Sequence, residues 1–196
     1  MNQTAESHIF TADDYLAWEE LQEEKHEYVK GEVFAMGGAR QEYVTRQEHV
    51  QVSGNVFAAL KQYLRGTPCR TYISDMKLRV EGMGAFYYPD VIVSCNKNDH
   101  QAEQLLSSPR LIVEVLSDST EAYARGAKFA AYRQIASLKE YVLVNIKTRT
   151  LECFRRTTDN DWLLHVYTDE AVCDFVSLDV SVEMATIFED IVENQQ

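Results

Sequence analysis

Nowhere in the 196 residues is there a run of about 18 apolar side chains, the minimum for a membrane-spanning helix. Nor does the start carry a basic stretch leading into an apolar one. Both absences lead to the expectation of a soluble, unexported, cytoplasmic protein. Cysteine is scarce. Cys69, Cys95, Cys153 and Cys173 form no C-x-x-C pair and have no neighbouring histidine to complete a zinc signature. They are expected as reduced core residues, since Cys69, Cys95 and Cys153 lie in or beside strand-like runs. With only three prolines, no repeat and no low-complexity tract, there is no sign of a linker, and one domain over residues 1–196 is expected. Basic residues are outnumbered: 19 Lys and Arg face 31 Asp and Glu, for a net charge of -12 and a pI near 4.8. That balance argues against a protein that coats nucleic acid nonspecifically. It leaves room for a local basic stripe, because the acids crowd into Asp13–Glu27 and Asp159–Glu193.

What is present is a regular alternation of helix and strand signals. Thr11 is a plausible N-cap for a peripheral helix over about 11–25. Tyr28 and Val29, then Lys30-Gly31, then Val33 and Phe34 predict a hairpin turning at the glycine. Val52, Val56, Leu60, Tyr63 and Leu64 fall on one face of a helix from about Arg46 to Leu64. Gly66-Thr67-Pro68 stops it, and strands are expected over Cys69–Val80, Phe86–Cys95 and Leu111–Leu116. A second helix is expected from about Thr120 to Ile135, with Asp118 and Glu121 in capping-box-like spacing. Short strands follow at 140–145, 151–155, 162–167 and 171–175. The pattern predicts an α/β or α+β sheet with helices packed on it, and Leu111-Ile112-Val113 suits a central strand.

Two carboxylates interrupt runs that otherwise call for burial. Asp90 follows Pro89 at the head of Val91-Ile92-Val93, and Glu114 stands inside Leu111–Leu116. An unpaired charge there costs several kcal/mol, so something compensates it. One reading is a salt bridge from Lys128, Arg125 or Arg79. The other has Asp90 and Glu114 meeting on adjacent strand ends, beside a backbone carbonyl, to share Mg²⁺ or Mn²⁺. Such a cation activates water and neutralises charge on a phosphate. Asp75-Met76-Lys77 offers a second D-x-K arrangement if Asp75 and Lys77 share a strand face. His49, by its spacing to Val52 and Val56, faces the core at the start of the long helix. Contact with DNA is sought in Arg65, Arg70 and Arg79, with Arg125 and Arg133 on the second helix.

Five blocks carry a family resemblance that covers about Tyr15 to Ile187: 27–36 (EYVKGEVFAM), 72–77 (YISDMK), 87–91 (YYPDV), 112–117 (IVEVLS) and 125–132 (RGAKFAAY). In this order they resemble the Uma-type putative restriction endonuclease family, grouped with the PD-(D/E)XK nucleases. The resemblance implies a restriction-endonuclease-like fold: a mixed central sheet flanked by helices, with extra β-strands at the C-terminal side. It also implies a Mg²⁺- or Mn²⁺-dependent endonuclease acting on DNA phosphodiesters. Asp90, Glu114 and the Val115 carbonyl would hold metal. The superfamily's usual lysine position, two residues after the second acid, is Leu116 here. The lysine role is therefore expected of Lys128, with His49 and Asp75 in support. The sequence also allows two rivals: a catalytically silent binding module that keeps the fold, and an interaction protein whose late β-rich segment forms a homodimer face. A homodimer also suits the nuclease, since two copies can cut two strands.

Overall fold

The computed structural model describes residues 10–36, 46–168 and 171–191. Thr11 caps α1 (Ala12–Glu19) in a reciprocal capping box, its hydroxyl accepting from the Asp14 N–H while Asp14 reaches back to the Thr11 N–H. This helix ends earlier than the expected boundary near residue 25 because Glu19 turns inward, accepting from the His26 N–H and the Tyr88 hydroxyl. β1 (His26–Val29) and β2 (Glu32–Ala35) form the anticipated hairpin. Both turn residues are left-handed, Lys30 at φ 52° and Gly31 at φ 99°, as a two-residue type I′ turn requires. α2 (Arg46–Tyr63) buries Val52, Val56 and Leu60 on the stripe read from the sequence, with Leu64 buried just past its end, but Tyr63, expected on the same face, is 55% exposed.

The expected strands over 69–80 and 86–95 are each two strands that change sheet. β3 (Arg70–Ile73) and β6 (Val91–Ser94) belong to one sheet, β4 (Lys77–Val80) and β5 (Ala85–Tyr87) to another. Ser74, at φ 51°, makes the first switch, and Pro89 lies at the second. Asp75 therefore precedes β4 rather than sharing a strand face with Lys77, which removes the premise of the second D-x-K arrangement.

The five-stranded sheet runs β2-β1-β5-β4-β7, where β7 is Leu105–Leu106. The six-stranded sheet runs β11-β10-β9-β8-β6-β3, built from β8 (Pro109–Leu116), β9 (Glu140–Asn145), β10 (Thr150–Arg156) and β11 (Trp162–Tyr167). It is mixed, because β8 and β9 are parallel while its other pairs are antiparallel. Between β8 and β9 the chain forms α3 (Glu121–Tyr123), a π-turn (Ala124–Lys128) and α4 (Phe129–Tyr132). Thr120, not Asp118, takes the N-cap position, and Asp118 pairs with Lys147. β12 (Val172–Phe175), β13 (Val180–Glu183) and α5 (Met184–Ile187) complete the chain, the last two unforeseen in the sequence.

Both faces of the six-stranded sheet are covered. Val91, Val93, Leu111, Val113 and Val115 pack toward α2 and the β12-β13 ribbon. The alternate residues Ile92, Ile112 and Leu116 pack with Leu78, Tyr87, Tyr132 and Tyr141 on the other side. By the period of two, Glu114 shares this second face. The fold is thus α+β, with a mixed central sheet between helices and extra strands at the C-terminal side. Among the described residues no helix is long and apolar enough to cross a membrane.

Cys153 and Cys173 are buried free thiols, as expected. Cys69 and Cys95 are not: they form a disulfide, with Cα atoms 3.9 Å apart. β3 and β6 are antiparallel with Arg70 opposite Ser94, so the flanking cysteines meet one position further on. That juxtaposition depends on strand register, which spacing along the chain does not reveal. Alkylation of unfolded protein without reductant should modify two of the four cysteines, and with reductant all four. Mass spectrometry reads the count, and four modified thiols without reductant would disprove the link.

Candidate active site

The site forms where β6 and β8 emerge from the sheet. Val91 pairs with Val113, so extending the antiparallel register by one residue sets Asp90 opposite Glu114. β6 has ended there, and the Asp90 carboxylate takes its place in the ladder, Oδ2 accepting from the Val115 N–H at 2.7 Å. His49, in the first turn of α2, closes the same corner: Nε2 lies 3.0 Å from the Val115 carbonyl oxygen and 3.4 Å from Asp90 Oδ2. A carbonyl only accepts, so Nε2 carries a proton and donates.

Lys128 enters from the opposite side, on the π-turn. Its Nζ donates to both Glu114 oxygens, at 3.1 and 3.2 Å, and lies 2.8 Å from Glu27 Oε1. Tyr132, one turn further along, donates its hydroxyl to Glu114 Oε1 at 2.8 Å. Glu27, Glu114 and Lys128 are all buried. Burial pushes the Glu114 carboxyl up to about 7, against the pull of Lys128, and the charges of Asp90 and Glu27 push the same way. Burial disfavours the charged Lys128, yet Glu114 and Glu27 outweigh it and hold the ammonium well above its usual range. His49 follows suit: burial pulls it down, while the Asp90 hydrogen bond and charge raise it above the ordinary histidine value.

Asp90, Glu114, Lys128, His49 and Val115 therefore converge. Asp75 stands apart, 83% exposed at its side chain and paired with Lys25. Arg125 and Arg70 are committed elsewhere. Arg125 grips Glu152 with two hydrogen bonds of 2.5 and 2.8 Å and Glu121 with a third of 2.8 Å. Arg79 lies 4.0 Å from Glu81, and Arg70 donates to the His100 carbonyl. The sequence reading gave no chemical role to Glu27 or Tyr132. Glu27 could have been noticed as an acid flanked by His26 and Tyr28 in a strand whose centre is buried.

The donor set suits a hard divalent cation. Glu114 and Glu27 stand against one ammonium with Asp90 nearby, and the negative charges of Asp90 and Glu27 add to burial in raising Glu114. Mg²⁺ is commonly held by one or two carboxylates and completed by water. The Val115 carbonyl has a second lone pair beyond the one His49 uses. Among the described residues no three His, Cys, Asp or Glu side chains gather as a self-sufficient metal cluster, so a cation here would lean on Asp90, Glu114 and that carbonyl.

A mixed sheet with one acid just before a strand, a second inside the neighbouring strand and a lysine beside the second is the arrangement to set against known folds. Residues 12–185 match the family model Uma2, described as "Putative restriction endonuclease", and the chain belongs to that family. An uncharacterised protein of Synechocystis sp. is 34% identical over 176 residues, covering 90% of each chain. Another from the same organism is 31% identical over 162 residues, covering 82% of this chain and 88% of its own. The crystal structure of an Anabaena variabilis protein, described as "a putative nuclease belonging to DUF820", superposes with a TM-score of 0.70 at 14% identity, over 91% of this chain and 97% of the other.

The raised groups set a pH dependence. Glu114 and His49 both bind protons more tightly folded than unfolded, so their stabilisation is complete below the unfolded values, about 4.5 and 6.5. It is lost as pH rises, through about 7 for Glu114. Glu114→Gln should flatten the fall in melting temperature between pH 5 and pH 8 relative to the parent, measured by calorimetry. An equally steep fall in both proteins would contradict the shift.

Proposed function

We propose that this chain is a Mg²⁺- or Mn²⁺-dependent endonuclease that hydrolyses DNA phosphodiester bonds. The observation that carries the reading is the placement of Lys128: an ammonium from the π-turn reaches the Glu114 carboxylate that Leu116, in the usual lysine position, cannot serve. Asp90, Glu114 and the Val115 carbonyl would hold the metal, which when bound supplies a Lewis acid for the phosphate and lowers the pKa of water. Lys128 orients the attacking water and offsets charge building on the phosphate oxygens. His49 holds the Val115 carbonyl by donating to it, with the Asp90 carboxylate 3.4 Å from the same nitrogen. Tyr132 fixes the Glu114 rotamer, and Glu27 keeps Lys128 from collapsing wholly onto Glu114.

Asp90→Asn retains an acceptor for the Val115 N–H while removing the charge. It should lower Mn²⁺-dependent nicking of supercoiled plasmid by on the order of 10²- to 10⁴-fold, with the circular dichroism spectrum unchanged. Undiminished nicking by this variant would end the proposal.

A homodimer is the proposed working form, supported by β11. This strand is the edge of the six-stranded sheet, carries no Lys, Arg, Asp or Glu, and exposes Leu163, Leu164 and Val166. Monomeric proteins usually guard such an edge with charge. Light scattering should give twice the chain mass for the parent and the chain mass for Leu164→Lys; a monomeric parent would exclude the dimer.

A further inference from the structure

A cleft of about 470 Å³ opens beside the Glu27–Lys128 pair, bounded by β2, Met36, the start of α3 and Tyr123. Its chemistry differs from that of the acid cluster. Phe34, Met36 and Tyr123 give it carbon-rich walls, Thr120 contributes a hydroxyl, and among the described lining residues the charge comes from Glu27 and Lys128. Phe34 lies opposite Glu27 in the hairpin register, so both side chains leave the same face. β2 is an edge strand, and Phe34 and Met36 remain 47% and 40% exposed. Large apolar groups open to solvent and rimmed by polar ones mark a binding surface. This one is continuous with the proposed reacting centre through Lys128.

The rest of the surface narrows the occupant. Among the described residues Arg125 is taken by Glu121 and Glu152 and Arg155 by Glu140, and a net charge of -12 weakens any purely electrostatic hold on a duplex backbone. Affinity must then draw on the bases themselves. Stacking of one base on an aromatic ring contributes roughly tenfold to a hundredfold in binding and tolerates any sequence. A paired base must first leave its stack, which cancels much of that gain. We propose that the cleft takes an unpaired nucleobase, stacked on Phe34, of a strand whose phosphate lies at Lys128, and that single-stranded or locally unpaired DNA is the preferred substrate class. The inference rests on the nuclease reading for the identity of the strand, but its binding test does not require cleavage.

Fluorescence anisotropy without divalent metal, on the full chain, compares labelled oligothymidylate, the same strand paired with oligodeoxyadenylate, and an abasic strand of equal length. The parent should bind oligothymidylate about tenfold more tightly than either of the others. Phe34→Ala should reduce it to the abasic level, Phe34→Tyr should restore it, and melting temperatures should not move because Phe34 is half exposed. Equal affinities for the three probes, or tight base-dependent binding by Phe34→Ala, overturn the proposal. Cleavage of the same probes with Mn²⁺ is scored separately. Base-dependent binding with no cleavage upholds the cleft and sinks the nuclease reading, whereas cleavage with no base dependence does the reverse.

Discussion

The ammonium of Lys128 is buried between two carboxylates, and the architecture around the site follows from that constraint. A cation removed from water survives only when its partners are placed for it. Glu114 supplies one from the central sheet and Glu27 the other from the hairpin of the second sheet. The two sheets and the helical crossover therefore share a polar junction in an otherwise apolar layer. Losing one carboxylate would leave the ammonium short of charge, and losing the lysine would leave Glu27, Glu114 and Asp90 to repel one another. The corner is stable as a set and costly in parts.

The sheet-switching segments serve the same junction. Because the chain crosses from β3 to β4 at Ser74 and from β5 to β6 at Pro89, the hairpin sheet is covalently joined to the central one twice, at the same end of two neighbouring strands. Asp90 sits at the second crossing, where the strand partner of Val115 has run out and a side chain can substitute for backbone. The disulfide ties the far end of the same strand pair. The acids thus stand at the open end of an element pinned at its other end.

Much of this was legible in the residues. The apolar stripe of α2, the Lys30-Gly31 turn and the central character of Leu111–Leu116 each have a local physical cause, and each appears where expected. Glu114 was visible for a different reason: a charge in an apolar strand is an energetic contradiction that demands a partner. What escaped was everything set by long-range register. The Cys69–Cys95 pairing, the division of two long runs into four strands, and the meeting of Glu27 with Lys128 depend on which segments lie side by side. Arg125 was misleading for the same reason. The sequence offers it as a DNA contact or a partner for Glu114, while in the fold Glu152 on β10 and Glu121 hold it.

The π-turn at Ala124–Lys128 has a consequence for how such a protein can change over time. Five-residue hydrogen-bonded turns of this kind add one residue to an otherwise ordinary helix, and one residue is about 100° of rotation. Deleting a single codon between Tyr123 and Lys128 would restore a regular helix and swing the ammonium away from Glu114, with every carboxylate untouched. An active lineage and an inert one could thus differ by an indel rather than by the loss of any acidic residue. On the proposed nuclease reading, the length of this turn is then as informative a character to compare among relatives as the acids themselves.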